Sequence, residues 1–232
     1  MKLQRFAILM FVLLSLAVGS VFAQTAEELY NRGNAYADKG QHEQAILEFT
    51  KAIQINPKFA QAYYNCGHSY DLQNKPTPAI ADYTKAIEIN PDYADAYYNR
   101  GFDRSHQGDF TQAITDYNKV IELKPDFVEA YNNCGLAYAN LGNLNQAVLE
   151  YTKAIEISPN FAQPYYNRGF AYLEQENFSQ AIPDFSKVIE INPKFERVYY
   201  GRGLAYDNEG DLAQAISDYS RAIELGPNDI LA

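Results

Sequence analysis

Pro57, Pro91, Pro125, Pro159, Pro193 and Pro227 stand 34 residues apart, without a slip in register. Gly33, Gly67, Gly101, Gly135, Gly169 and Gly203 keep the same step, and so do the alanines at 45, 79, 113, 147, 181 and 215. A core packed from unrelated elements has no reason to repeat. A fixed period of 20–50 residues marks a stack of equivalent supersecondary units, each covering its neighbour's apolar face. Such a chain presents a surface made by stacking, and holding something is its expected role.

The fourth unit shows the grammar. Val128 to Asn140 places Tyr131, Gly135 and Tyr138 at i, i+4 and i+7, one face of a helix. Gly142-Asn143 breaks it. Asn145 to Ile157 follows, with Ala147, Val148, Tyr151, Ala154 and Ile155 as a second apolar stripe. Pro159 ends that helix, because proline lacks the N–H and restrains its predecessor. Gly40, Gly108, Gly142 and Gly210 recur at the turn. The Gly33 ladder lies inside the first helix, where glycine costs about 1 kcal/mol against alanine. Close approach of the second helix, through the alanine at the twentieth place, is the expected compensation.

The motif Tyr-x-x-x-Gly-x-x-Tyr, then Ala, an aromatic, Ala and Pro resembles the tetratricopeptide repeat. In the fourth unit it is Tyr131, Gly135, Tyr138, Ala147, Tyr151, Ala154 and Pro159. All six units match. The resemblance implies an all-α, right-handed superhelical solenoid of six 34-residue helix–turn–helix repeats, at 26–59, 60–93, 94–127, 128–161, 162–195 and 196–229. It also implies a concave groove lined by the first helices, and protein binding rather than catalysis.

In that family the second, fifth, sixth, ninth and twelfth places of each repeat line the groove. Here these places predict a peptide-binding groove built from Tyr64, Asn65, Tyr98, Asn99, Phe102, Asn133, Tyr166, Asn167, Phe170 and Tyr200. Asparagine both donates to and accepts from a backbone, and tyrosine adds rigid amphipathic area. The asparagine run is similar to the ladder in the solenoid of O-linked N-acetylglucosamine transferases. The same residues also serve as ordinary solvated helix face, and that reading stands beside the first. A lysine clamp for a C-terminal carboxylate is ruled out, because Tyr30 and Asp95 stand where its cations would. Second-place residues Glu27, Gln61, Asp95, Glu129 and Gln163 are acidic or neutral until Arg197, so a neutral or basic protein segment is the expected partner.

Lys2 and Arg5 precede an apolar run from Phe6 to Val18, interrupted only by Ser15, and Val21-Phe22-Ala23 supplies a cleavage pattern. This predicts a signal peptide over 1–23, with one repeat domain over 24–232 exported to a periplasm or cell envelope. No membrane span is expected after cleavage; a retained anchor is the alternative, although it needs about 18–20 apolar residues. The net charge of −10 disfavours nucleic acid and anionic lipid as partners. Little sequence lies beyond Pro227, so no polar cap is expected on the last helix. Weak homo-oligomerisation through that helix, or a structural scaffold built on it, is the rival reading.

No catalytic residue, metal site or cofactor is predicted. His42, His68 and His106 occupy three different places in the repeat and make no zinc spacing. Cys66 and Cys134 share one place two repeats apart, too far for a bridge within the chain; they read as buried apolar thiols, with an intermolecular disulfide as the alternative. Arg32, Arg100, Arg168 and Arg202 hold that place elsewhere, and are expected to pack their stems and send their heads to water. Asp82-Lys85-Glu88 and Asp218-Arg221-Glu224 read as solvated i, i+3 pairs. Asp103-Arg104 in the third unit replaces a small-residue–Tyr pair and should lose an aromatic contact, and Pro183 should distort its helix.

Overall fold

The computed structural model describes residues 24–226. The expected signal segment, 1–23, and the last six residues, 227–232, lie outside the described residues. Among the described residues there are twelve helices and no strand. Contacts divide the described residues into two compact units, one ending at Asn90 and the other beginning at Pro91.

The first unit holds α1 (Ala26–Ala37), α2 (His42–Ile55), α3 (Ala60–Asp71) and α4 (Pro76–Ile89). The second holds α5 (Ala94–His106), α6 (Phe110–Leu123), α7 (Val128–Asn140), α8 (Leu144–Ile157), α9 (Ala162–Glu174), α10 (Phe178–Ile191), α11 (Glu196–Glu209) and α12 (Leu212–Leu225). Within each unit every helix packs on the next, and the first helices of successive hairpins also touch. The result is a two-hairpin stack and a four-hairpin solenoid.

Local chemistry sets the ends. Thr25 and Glu28 form a reciprocal capping box at the start of α1. Asp109, Asn143 and Asp211 cap α6, α8 and α12 by accepting from the amide three residues onward. Pro57, Pro91, Pro125, Pro159 and Pro193 each stand two residues beyond a second helix. The turn needs a left-handed residue: Gly40, Gly108, Gly142 and Gly210 supply it with φ of 71–84°. In the second and fifth hairpins Asn74 and Glu176 take that conformation instead, both at φ 57°. Pro183 sits in α10, which runs through it as one helix from Phe178 to Ile191; Ser179, whose carbonyl loses its partner to the proline, is exposed to water.

The repeated alanines are completely buried or nearly so, as are Phe49, Tyr83, Tyr117, Tyr151 and Phe185, the aromatic rings of the second helices. Each ring lies against the in-helix glycine of its own hairpin. A Cβ on Gly135 would stand 2.6 Å from Tyr151 Cε1, and one on Gly169 would stand 2.7 Å from Phe185 Cε1. The glycine ladder therefore makes room chiefly for the ring at the twenty-fourth place, rather than for the alanine at the twentieth. Burying each ring contributes about 1.5–3 kcal/mol, which offsets the glycine's cost.

Charged residues depart from their sequence reading. Arg168 grips Asp184 with two bonds, Nε–Oδ2 at 2.8 Å and Nη2–Oδ1 at 2.7 Å, and its Nη1 donates to Thr152 Oγ1 at 2.8 Å. Arg202 does the same with Asp218 and Ser186. Arg32 pairs with Glu48, and Arg100 with Asp116. These heads tie the two helices of a hairpin together, and in Arg168 and Arg202 they also reach the hairpin before. Asp218 is buried, so of those two triads only the pairs Arg221–Glu224 and Lys85–Glu88 behave as exposed i, i+3 pairs, as do Lys119–Glu122, Lys153–Glu156 and Lys187–Glu190 in other hairpins. Arg104 in the third hairpin donates to Asp116 at 2.7 Å, so the missing aromatic is replaced by a second arginine on one buried carboxylate.

Candidate functional site

Cys66 and Cys134 are buried and free. They stand where arginine stands in the other hairpins, and the carboxylates facing that place are Asp82 and Glu150. Burial pushes both thiols up, with Asp82 adding to the effect on Cys66 and Glu150 to that on Cys134. Burial likewise raises the Asp82 and Glu150 carboxyls; a bond from Cys66 offsets part of it for Asp82, and Lys153 does so for Glu150. A thiolate is thus strongly disfavoured, which makes these positions packing sites rather than nucleophiles. Among the described residues no group of three or more His, Cys, Asp or Glu could hold a metal ion, and no helix is long and apolar enough to cross a membrane.

The fifth-place tyrosines sit half-buried between aromatic neighbours. The Tyr98 ring lies 5.0 Å from Phe127 and 6.1 Å from Tyr117, and Tyr166 lies 4.9 Å from Phe195 and 4.8 Å from Phe170. In the first unit, Tyr64 lies 5.7 Å from Tyr83 and stacks on His68. Burial raises the Tyr98 and Tyr166 phenols. In the second unit the rings of Tyr98 and Tyr166 seal the seam to the following hairpin. Tyr200 is the exception, 43% exposed.

The asparagines act as staples. Asn65 donates to Tyr30 Oη at 3.1 Å and Asn34 Oδ1 at 2.7 Å. Asn133 donates to Tyr98 Oη at 3.1 Å. Asn167 donates to Asn132 Oδ1 at 2.9 Å, where the repeat has asparagine instead of tyrosine. Each amide thus binds the fifth-place residue of the hairpin before it. Asn99 is half-buried on α5. The donors that an incoming peptide backbone would need are in large part engaged within the protein.

Apolar side chains exposed on the same helices mark the surface. Phe102 is 45% exposed, its ring 4.2 Å from that of His106, and Leu136 is 46% exposed. Phe170 turns inward and meets Phe185 edge-on at 5.2 Å. Cavities open beside these residues. One of about 250 Å³ is lined by Phe102, Phe110, Tyr117, Leu136 and Asn140, among others. A second of about 260 Å³ is lined by Leu136, Leu144, Tyr151, Phe170 and Glu174, among others. Asn140 and Glu174, at the thirteenth place, were not among the residues predicted for binding; Leu136 stands at the ninth, a groove place, but was not singled out. Their signal was the 34-residue recurrence of the ninth and thirteenth places.

Models of the tetratricopeptide repeat match residues 60–93, 162–195 and 196–229, and a second such model matches 82–115. A further model, described as TPR repeat, matches 33–74, 106–142 and 137–176. No curated protein matches the sequence. Among solved structures, a MamA protein is 25% identical over 74% of this chain and 94% of its own, with a TM-score of 0.69. YrrB, described as a TPR protein with an unusual peptide-binding site, is 23% identical over 79% of this chain and 94% of its own, TM-score 0.69. A tetratricopeptide repeat protein from Parabacteroides merdae is 24% identical over 86% and 79%, TM-score 0.73. Together the repeat models run from residue 33 to residue 229, and the chain belongs to the tetratricopeptide repeat family.

Proposed function

We propose that this protein is a non-enzymatic, exported interaction module that receives a segment of another protein on the first-helix face of its repeats. The observation that carries this reading is the set of exposed apolar side chains Phe102, Leu136 and Tyr200 on first helices, two of them beside open cavities. Exposed aromatic and aliphatic groups at a concavity are what a docking surface needs. Acidic neighbours such as Glu129 and Glu174 favour a neutral or basic segment. Export rests on the leader pattern of residues 1–23, and a mature N-terminus at Gln24 in envelope fractions is the result that supports it.

The test is capture from the source cell's envelope by the wild type and by a Phe102→Ala/Leu136→Ala/Tyr200→Ala variant. Tyr98 and Tyr166 are poor choices, because both pack against the hairpin that follows. Loss of a partner in the variant, with an unchanged circular dichroism spectrum, supports the reading. Equal capture by both proteins overturns it.

A second reading is favoured by α12. Leu212, Ile216 and Ile223 are 60%, 66% and 53% exposed. Their counterparts Phe178, Ile182 and Ile189, one hairpin earlier, pack into a buried cluster. A scaffold that joins a second copy through this face would cover the same side chains.

A further inference from the structure

The cavities repeat with the chain. Moving Phe102, Phe110, Tyr117, Leu136 and Asn140 on by 34 residues gives Leu136, Leu144, Tyr151, Phe170 and Glu174, the lining of the second cavity. Moving them back by 68 gives Asn34, His42, Phe49, His68 and Leu72, which line a cavity of about 440 Å³ in the first unit. In the second unit the two cavities adjoin, and Leu136 and Asn140 belong to both. Each is smaller than the roughly 300–1,000 Å³ of a small-molecule site. A row of side chains fits this pair better than one compact ligand.

The step between cavities is one hairpin. First helices of neighbouring hairpins are in contact, which sets their spacing at about 8–10 Å. A polyproline-II chain rises about 3.1 Å per residue with three residues per turn, so residues i and i+3 share a side about 9 Å apart. A β-strand puts same-side residues at about 6.7 or 13 Å. An α-helix could offer i and i+7 at about 10.5 Å, but its backbone amides are already bonded. The cavity rims offer acceptors. Asn140 donates to Leu136 O, which leaves its Oδ1 to accept; Glu174 brings a carboxylate; the donors of Asn133 and Asn167 are engaged in staples. Acceptors beside apolar cavities, on a chain of net charge −10, complement a ligand with free backbone N–H groups and cationic side chains.

One aromatic ring already rests on this face. Phe170 lies edge-on against Phe185, the counterpart of Tyr117 and Tyr151 at the two cavity floors. Its room comes from Gly201, which stands where Asn133 and Asn167 stand in the earlier hairpins.

We infer that the second unit holds a polyproline-II segment of its partner, seating apolar side chains at i and i+3 in the two cavities, with lysine or arginine beside them. This rests on the proposed role as an interaction module and names the ligand's conformation and register.

The experiment measures anisotropy of fluorescein-labelled peptides binding to the full chain. One peptide carries Leu-Lys-Pro-Leu between lysines, so that a residue between the anchors keeps its N–H. Isomers of the same composition carry the leucines at i, i+2 and at i, i+4, and a helical peptide carries them at i, i+7. At least tenfold tighter binding of the i, i+3 peptide, lost in Leu136→Gln, is the expected result. Leu136 is half-exposed, so the variant should fold, and a circular dichroism spectrum checks it. Equal binding of all the peptides, weakened alike by Leu136→Gln, would overturn the register and leave peptide binding standing, as would preference for the helical peptide. No binding of any peptide at millimolar concentration, or binding indifferent to Leu136→Gln, would overturn both the register and this face as the docking site.

Discussion

A Cβ placed on Gly201 would lie 3.2 Å from Phe170 Cζ and 2.9 Å from Phe185 Cζ, so Phe170 takes space an asparagine side chain would need. Earlier repeats carry asparagine at this place, and Gly201 is the departure that admits the inward ring. Restoring the common residue should therefore do harm. Gly201→Asn is expected to lower stability by about 1–3 kcal/mol through overpacking. Phe170→Leu in the same chain should recover part of the loss, since Leu136 and Asn167 already coexist one repeat earlier. Urea denaturation of the two single variants and the double variant reads the coupling, and additive losses would mean that the two side chains do not compete.

Cys66 and Asp82 invite the opposite change. Arg168 joins Asp184 to Thr152, and the counterparts of those partners around Cys66 are Asp82 and Thr50. Cys66→Arg should supply the missing cation and stabilise the chain by about 1 kcal/mol at pH 7, the charged bonds outweighing the new desolvation. The pH dependence is the sharper readout. In the wild type burial lifts Asp82's folded pKa above its unfolded value. Its contribution is therefore present below the ordinary aspartate range and is lost as pH rises through the raised value. In the variant the new cation should draw the folded pKa down from its wild-type position, as Arg168 offsets part of the burial that still leaves Asp184 raised, so less stability is lost on the way to neutral pH. Thermal melts between pH 3 and 7 should show the variant's advantage shrinking toward the acid end. A constant difference across that range would mean that the pair has not formed.

What could be read from the chain depends on how local each signal is. Pro159, Gly142 and the i, i+4 stripes act within a turn or two of helix, and both helices of the fourth unit are found where those signals place them, over Val128–Asn140 and Leu144–Ile157. The Arg168–Asp184 clamp was not legible, because its partners are 16 residues apart and Asp184 looks like one more acid in a solvated pattern. Tyr98 and Asn133 read as a groove for the same reason: whether a helix face meets water or the next hairpin depends on stacking, which no single position encodes. Leu136 gained its importance from empty space shared by three helices. A sequence pattern names the groups around such a space but not the space itself.

Glu176 carries a local strain that its repeat avoids elsewhere. Its φ is 57°, in the turn position where Gly40, Gly108, Gly142 and Gly210 stand. A left-handed conformation costs a residue with a Cβ about 1–2 kcal/mol, and glycine gives back part of that through its greater entropy in the unfolded chain. Glu176→Gly should raise stability by about 0.5–1 kcal/mol, read as an upward shift in the urea midpoint with an unchanged slope. Asn74→Gly, at the same φ, should gain less, because asparagine tolerates this region better than glutamate. Equal gains at the two sites would mean that asparagine bears as much strain in this conformation as glutamate does.

Ile216 decides between an interaction module that works alone and one that assembles. It is 66% exposed on α12, between Leu212 and Ile223, and its counterpart Ile182 packs into a buried cluster. An isologous contact between two such faces would bury an apolar stripe on each copy and grow with protein concentration. Light scattering across a hundredfold concentration range should then show the mean mass rising toward twice the monomer. Ile216→Lys should hold the protein at monomer mass without changing its melting temperature at the lowest concentration, because the side chain is largely in water there. A wild type that stays at monomer mass throughout would remove the scaffold reading, leaving the first-helix face as the surface through which this chain meets its partner.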